Sequence, residues 1–529
     1  MAVFVGSNSD DSRIRSNRVG FAASTSNPGS PAEGDAYYNS TDNKLNVYDG
    51  SDWAAVGAGG GTVELVASGS LSNGQTVIIQ SDGTVKAVSA ISQTVGTPVV
   101  FESAGIQQPD IAFDSNSNKV VIAYKDNGNS YYGTAVVGTV SGTSISFGTP
   151  VVYHSGTANT PSVVFDSNSN KVVIAFRDNS DNFYGKAIVG TVSGTSISFG
   201  SATTFESANV TNFSTTFDSS NNKVVIAYMD GGNSSYGTAV VGTVSGTSIS
   251  FGTPVVYNSS YSDYNAITFD SNSNKVVIVY KDNGNSNYGT AIVGTVSGTS
   301  ISFGSEATYT SSEINYNDIT FDSNSNKVVI AYEDLGNSEY GTAVVGTVSG
   351  TSISFGTPVV FESAAIELTK ATFDSTNNKV VISYQDEGNS SHGTLVVGTV
   401  SDTTISFGTP VVYESAEMAG NGITFDSNEN KVVIAYIDGG NSDYGTAAVF
   451  RNSSTNLTST NFLGFSDAAY SDGATATIQV AGSVDDAQSG LTTAKTHYVQ
   501  NDGTLSTTAG SPSVEAGTAV SATQIIVKG

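Results

Sequence analysis

The sequence predicts an all-β chain whose body is a seven-bladed β-propeller flanked by small β modules, and three observations carry that prediction. A Phe-Asp pair recurs with its aspartate at Asp114, Asp166, Asp218, Asp270, Asp322, Asp374 and Asp426, each step being 52 residues without insertion or deletion. Inside every copy, runs rich in Val, Ile, Tyr, Phe and Thr alternate with clusters of Gly, Asn, Asp and Ser, the pattern of short strands between turns. Four such runs at this period match a propeller blade, whereas the coils of a parallel β-helix, the alternative, usually repeat at about half that length.

The copy covering residues 109–155 shows each element in order. A first strand ends at "IAFD", and "SNSN" turns the chain because Asn and Ser tolerate left-handed conformations and bond their own backbone. The second strand, "KVVIAY", is a continuous apolar run and reads as buried on both faces. After the loop "KDNGNSYY" come a third strand, "GTAVVGTV", the tight turn "SG", and a fourth strand, "TSISFGTPVVY". No helix is expected.

The ends of the array predict a closed ring over residues 92–452. The segment 92–101, "SQTVGTPVVF", matches a fourth strand yet precedes the first Phe-Asp marker, while the seventh copy loses the pattern after "GTAAVFRN" at Asn452. One fourth strand before the first copy and six between copies supply all seven only if the amino-terminal one completes the last blade. Such closure hides the sheet edges that an open array would leave exposed.

Composition narrows the function classes. Only 13% of the 529 residues are charged, but Lys+Arg 20 against Asp+Glu 47 leaves a net charge of -27. A surface this acidic repels phosphate backbones and argues against a nucleic-acid partner. With no cysteine in the chain, disulfides, thiolate metal sites and cysteine nucleophiles are excluded. The stretch "MAVFVGSNSDDSRIRSNR" lacks the apolar core of a signal peptide, and no run reaches a membrane-spanning length. Neither signal-directed export nor membrane insertion is expected.

Comparing the copies with one another separates two ends of the blades. In a four-stranded meander the turns 1–2 and 3–4 share one end, and there "DSNSNK" or a close variant recurs while "VGTVSGTSISFG" is identical in five copies. The other end diversifies. The connection into the first strand reads "ESAGIQQPD", "HSGTANTPS", "ESANVTNFS", "NSSYSDYNA", "TSSEINYND", "ESAAIELTK" and "ESAEMAGNG". In the 2–3 loop, Lys125 is replaced successively by Arg177, Met229, Lys281, Glu333, Gln385 and Ile437, and Tyr131 by Phe183, Ser235, Asn287, Glu339, Ser391 and Asp443. A rigid framework with one varied end is the organisation of a binding face, although exposed loops also drift wherever packing is lax. The candidate ligand-binding residues are the aromatics Tyr131, Phe183, Phe213, Tyr261, Tyr264 and Tyr316, whose rings suit stacking on sugars while neighbouring Asn, Ser and Asp bond hydroxyls. Packing between blades is the competing role for some of these rings.

Catalytic material is scarce, and no catalytic residue, metal or cofactor is expected. His154, His392 and His497 share no site. Asp114, Asn116 and Asn118 alternate as at the start of a calcium loop, but Lys119 stands where such loops need Gly and no later carboxylate completes the shell. Hairpin-turn chemistry accounts for them better. A glycosidase needs two carboxylates at a defined separation, and no pair is picked out. The sequence therefore reads as that of a non-enzymatic protein. Propeller sialidases carry Asp-box loops with Trp and an Arg cluster, whereas the single Trp here, Trp53, lies outside the repeats and the Arg residues are scattered.

The flanks supply a resemblance. Residues 34–53, "GDAYYNSTDNKLNVYDGSDW", followed by the flexible "AAVGAGGG", resemble a short module common in bacteriophage tail-fibre and virion appendage proteins. Residues 462–529 are similar to a small β domain at the carboxyl end of structural proteins from marine tailed phages, cyanophages especially. The resemblance implies a virion location on tail or capsid, other virion proteins as partners, and a homo-oligomer, expected to be a trimer. It implies host attachment through a cell-surface glycan or other receptor, with a purely structural capsid fibre or decoration as the alternative and a polysaccharide-degrading enzyme as a third, disfavoured reading. The domains are then residues 1–61, an attachment module and linker; 62–91, the first part of a small β domain; 92–452, the propeller; and 453–529, the carboxyl-terminal β domain. "QSDGT" at Gln80 is echoed by "QNDGT" at Gln500, so 62–91 and 453–529 are read as two parts of one domain into which the propeller is inserted.

Overall fold

The computed structural model describes residues 23–32, 35–39, 44–48, 51, 53–56 and 61–528. The amino-terminal stretch 1–22 and the linker residues 57–60 lie outside the described residues. Two compact units divide the chain, one of Gln93–Ser453 and one of Met1–Ser92 with Ser454–Gly529.

The larger unit is built from one hairpin used repeatedly. Asp114 accepts hydrogen bonds from the amides of Asn116 and Ser117 at 2.9 and 3.0 Å and from the Ser117 hydroxyl at 2.7 Å. Asn118 then takes a left-handed φ of 54°, which asparagine tolerates. The carboxylate is thus spent on its own turn. Behind this turn, Lys119–Asp126 is covered on both faces. Val120, Ile122 and Tyr124 pack with Val433, Ala435 and Val449 of the seventh repeat, whereas Val121 and Ala123 face Tyr153, Ile174 and Phe176 of the second. A run without polar alternation is what a strand between two neighbours requires.

The varied connection into the first strand is the largest departure from the sequence reading. It is not a loop: Val99–Asp114 and its six equivalents, such as Val151–Asp166, are continuous 16-residue strands. The first half of Val151–Asp166 pairs back with the third strand of the preceding repeat, from Val151 opposite Ala135 to Thr157 opposite Tyr132. Its second half pairs forward, from Ala158 opposite Asp178 to Asp166 opposite Lys171. One extended segment therefore leaves one repeat and enters the next without a turn, so no Gly or Pro cluster marks the crossing. The fourth strand differs in the opposite sense, since it breaks between Ser144–Phe147 and Val151. At that break a Cβ on Gly148 would collide with the Thr195 carbonyl of the next repeat. Five three-residue 3-10 turns, such as Asn127–Asn129, occupy 2–3 loops where no helix was expected. Three of them are tightened by an aspartate at the strand end, as where Asp126 accepts from the Asn129 amide at 3.1 Å, whereas the turns after Asp386 and Asp438 carry no such bond.

The ladder has 28 strands and returns to its start. Tyr444–Arg451 pairs with Thr94–Val95 and with Val99–Asp114, making the sheet ring-like. Gly96 stands under the Thr143 carbonyl as Gly148 does under that of Thr195, so residues 94–101 occupy the place of a fourth strand beside the last repeat.

The smaller unit carries two five-stranded sheets of identical topology. In the first, Thr62–Val66, Thr475–Gln479, Phe462–Ser466, Thr76–Ile79 and Val85–Ala87 lie in that spatial order. The second runs Val484–Asp485, Ile525–Val527, Val514–Ala519, Thr496–Val499 and Leu505–Ser506. Numbered along the chain, both have the order 1-5-4-2-3. The "QSDGT" and "QNDGT" hairpins are the same turn: Asp82 and Asp502 each accept the amide and hydroxyl of the following threonine at 2.9 and 2.7 Å, and Gly83 and Gly503 have φ of 82° and 84°. Gly464 and Gly517, at φ of 155° and 152°, sit under a neighbouring strand's carbonyl in both sheets. The ring is thus a segment between the third and fourth strands of the first sheet, where the second sheet has only residues 507–513. Separately, Ala23–Ser24, Ala36–Asn39, Lys44–Tyr48 and Trp53–Val56 form a small sheet in which buried Tyr37 meets the Trp53 ring edge-on at 4.9 Å.

Candidate functional site

Strand pairing fixes which parts of the repeats can meet a ligand together. Asp114 lies opposite Lys119 at one strand end, and Asp126 lies opposite both Ile106 and Tyr132 at the other. The varied positions therefore share an end. Just inside it, every inner strand carries a register shift, between Gln107 and Asp110 in the first copy and at equivalent places in the other six. Such bulges re-aim side chains and are concentrated near functional sites. The residue at the bulge has positive φ in six copies: Gln108 53°, Thr160 47°, Asn212 49°, Tyr264 49°, Tyr316 44° and Leu368 53°. For Tyr and Leu this conformation is costly, on the order of 1–3 kcal/mol each, and persists only where the surrounding structure dictates it.

All seven bulges open into one cavity of about 570 Å³, lined by equivalent residues from every repeat. Its wall is mixed in chemistry. The rings of Tyr264 and Tyr316 meet edge to face at 5.3 Å, and the Tyr316 hydroxyl donates to Glu367 Oε2 at 3.1 Å. Burial, followed by the nearby Asp263 carboxylate, pushes the Tyr264 hydroxyl up to about 12. Deeper, Asp110 Oδ2 accepts the Val163 amide at 2.7 Å and Asp318 Oδ2 the Ala371 amide at 2.8 Å, each tying two inner strands together. Burial raises both carboxyls above the usual range, and the Lys370 ammonium opposes the shift in each. Lys370 itself forms no salt bridge among the described residues. Behind the wall, Asn317 and Thr369 are only 6% and 2% exposed, and both amide atoms of Asn317 and the Thr369 hydroxyl are buried without hydrogen-bond partners, whereas their counterparts Asn265 and Asn421 bond the Tyr257 and Ser383 hydroxyls.

The six aromatic candidates fall into three settings. Tyr131 and Phe183 are 48% and 46% exposed on equivalent 2–3 loops, with φ of 63° in both. A cation lies over each ring, Lys125 Nζ at 5.1 Å from Tyr131 and Arg177 Cζ at 5.6 Å from Phe183. Tyr261 is exposed at the same end, while Tyr264 and Tyr316 are half-buried in the cavity wall. Phe213 is a correction: it touches the cavity but is 8% exposed and packs in a core cluster with Phe205 and Tyr228, because the residue after the bulge turns inward. Copy-to-copy comparison picked out aromatic residues and so passed over the rest of the bulge column, Gln108, Thr160, Asn212, Leu368 and Gly420, and Lys370. The 52-residue spacing of that column was a usable signal.

Two of the three histidines, His154 and His497, take up framework roles. Where five copies bond the buried tyrosine to a glutamate, as Tyr124 does to Glu102 at 3.1 Å, the second copy has Phe176 with the His154 ring 4.9 Å from it. His497 is buried in the smaller unit, its Nε2 accepting the Thr492 amide at 3.2 Å.

No family model matches this chain, and no curated protein does. Among solved structures, a lectin from Burkholderia pseudomallei, BP39L, is similar over 68% of this chain and 99% of its own length, at 10% sequence identity and a TM-score of 0.48.

Proposed function

We propose that this chain is a non-enzymatic virion appendage of a tailed phage, whose seven-bladed β-propeller presents its varied end to a glycan or other receptor on the host surface. One observation carries the binding reading: seven copies hold one end fixed, and the diversified bulge positions of all seven converge on a single cavity. Stacking rings at the mouth and polar groups within suit a hydroxyl-rich ligand. The virion assignment rests on the resemblance of residues 34–53 and 462–529 to phage appendage modules, and the trimer expectation has the same basis. Several copies on one particle turn weak single sites into useful avidity.

The test is adsorption of the particle to its host in the presence of Fab fragments directed at the varied end, with labelled Fabs located on particles by electron microscopy. Labelling with blocked adsorption supports the proposal. Labelling with unimpaired adsorption favours a structural decoration, and absence of labelling on particles overturns the virion assignment.

A further inference from the structure

Charge is divided unevenly around the varied end. At the position of Lys125 and Arg177 the later repeats carry Met229, Lys281, Glu333, Gln385 and Ile437, so three copies place a basic residue there. Lys281 is neutralised, its Nζ lying 2.8 Å from Glu313 Oε1. Lys125 and Arg177 are not, since neither forms a salt bridge among the described residues. The carboxylates closest to them in sequence are already engaged, Asp126 with the Asn129 amide, and Asp178 and Asp181 with Lys186 at 2.8 and 2.7 Å. Each cation instead bonds a neutral amide, Lys125 Nζ donating to Asn159 Oδ1 at 3.0 Å and Arg177 Nε to Asn179 Oδ1 at 2.9 Å. Because Asn159 lies opposite Arg177 in the ladder, the first of these bonds brings the two cations to one place. Burial, followed by the Arg177 charge, holds the Lys125 ammonium below its usual range. Like charges side by side repel, and a chain of net charge -27 has carboxylates enough to relieve them, yet none does so here.

The rings beside these cations are no better explained by the framework. Tyr131 and Phe183 occupy a left-handed position, φ 63° in both, that the other copies fill with Ser235, Asn287, Glu339, Ser391 and Asp443. A bulky ring suits that backbone less well than Asn or Asp does, and both rings remain exposed. The two repeats with a ring at this position are also the two adjacent ones whose cation is not neutralised, Lys125 lying over Tyr131 and Arg177 over Phe183. A sugar bearing a charged group meets both halves of such a pair, its anionic oxygens accepting from the cation and a C–H face resting on the ring. Lys370 is in a different setting, with Asp110 and Asp318 near enough for its charge to favour their ionised forms.

We infer that Lys125, Tyr131, Arg177 and Phe183 of the first two repeats form one site for an acidic sugar, a uronate or a sulfated sugar, its anionic group held between the two cations and its ring stacked on Tyr131 or Phe183. This rests on the glycan reading above and names the class of sugar. The site is single, because no other neighbouring repeats join two such cations to two rings.

The experiment is titration calorimetry of the full chain with digalacturonate, its dimethyl ester and galactose 6-sulfate, which separate a carboxylate from a sulfate and both from a neutral sugar. The expected result is binding of at least one charged probe at about one per chain, with the ester at least about tenfold weaker than digalacturonate if the carboxylate is the group recognised. Lys125→Met and Arg177→Gln copy residues that the framework already carries at Met229 and Gln385. Each is expected to weaken binding of the charged probe at least about tenfold, as loss of a hydrogen bond to a charged group does. The double variant Tyr131→Ser with Phe183→Ser weakens it as well, whereas Lys281→Gln, which removes a cation already paired, leaves it unchanged. Several sites per chain, equal affinity for digalacturonate and its ester without binding of the sulfate, unchanged affinity in both cation variants, loss of binding in Lys370→Met but not in these, or binding of neither charged probe overturns the inference. Equal affinity for the ester leaves the glycan reading standing, and if no probe binds, the Fab experiment still decides the receptor reading on its own.

Discussion

The two ends of the repeats obey different rules although the same strands connect them. At the Asp114 end, side chains serve the backbone: the aspartate closes its own turn, and Gly148 makes room for a carbonyl of the next repeat. At the Asp126 end an aspartate tightens the loop in five copies, and the varied positions around it range from exposed rings to buried side chains. Lys125 and Arg177 lie over rings, Lys281 bonds Glu313 and Asn315 at 2.8 and 3.0 Å, and Glu333 is buried with one carboxylate oxygen unpartnered. The lesson is that invariance among copies follows from how many backbone groups depend on a side chain, and burial alone does not predict it. Glu333 is 5% exposed and still differs from its six counterparts.

The comparison breaks most severely at the glycines of the fixed end. Gly252→Ala drives a Cβ into the Thr299 carbonyl, whereas in Gly408→Ala the nearest heavy atom is 3.8 Å away, because the chain leaves the ring before supplying a further turn. The expected losses are about 3 kcal/mol for the first and within about 0.5 kcal/mol for the second, read from melting in urea. Equal losses would mean that the outer segments are not nested as described.

Next in size is Asp218→Ala. Its carboxylate accepts the Ser220 and Asn221 amides at 2.9 and 3.0 Å and the Asn221 side chain at 2.9 Å. Loss of about 2 kcal/mol is expected, since hydrogen bonds to a charged group are worth about 1.5–3 kcal/mol.

At the varied end the sign reverses. Burial, set against a hydrogen bond from Asn315, pushes the Glu333 carboxyl up to about 7. An unfolded glutamate titrates near 4.3, so the native state binds the extra proton between about pH 4.3 and 7 and is destabilised as pH rises through that window. Glu333→Gln therefore raises the melting temperature at pH 8, and the gain shrinks as pH falls towards 4.5. A pH-independent gain would attribute the effect to packing.

The smallest effect is expected for Phe183→Ser, which copies the residue at Ser235. Differential scanning calorimetry should show a change within about 0.5 kcal/mol, as for exposed positions generally. A larger loss would make the Arg177–Phe183 stack part of the framework.

Much of this architecture is written in local chemistry. The period, the Asx turns, the two-faced burial of "KVVIAY" and the matching "QSDGT" and "QNDGT" hairpins all depend on residues near one another in sequence, so they can be read directly. Tyr131 and Phe183 were legible as exposed rings for the same reason. The crossing strand was not, because a segment that pairs backward with one half and forward with the other has the composition of a loop and the conformation of a strand. Nor was the inward turn of Phe213, which follows from a bulge that no single residue announces.

By itself, then, the sequence determined an all-β, sevenfold-repeated chain with one fixed and one varied end, since those features follow from turn propensity and strand patterning copied at a constant spacing. Only the tertiary structure decided that seven bulges share one cavity, that one extended strand crosses from each repeat into the next, and that the last repeat pairs with residues 94–114. Each of these joins residues that local patterning does not connect, and ring-like pairing of the strands is what brings them together.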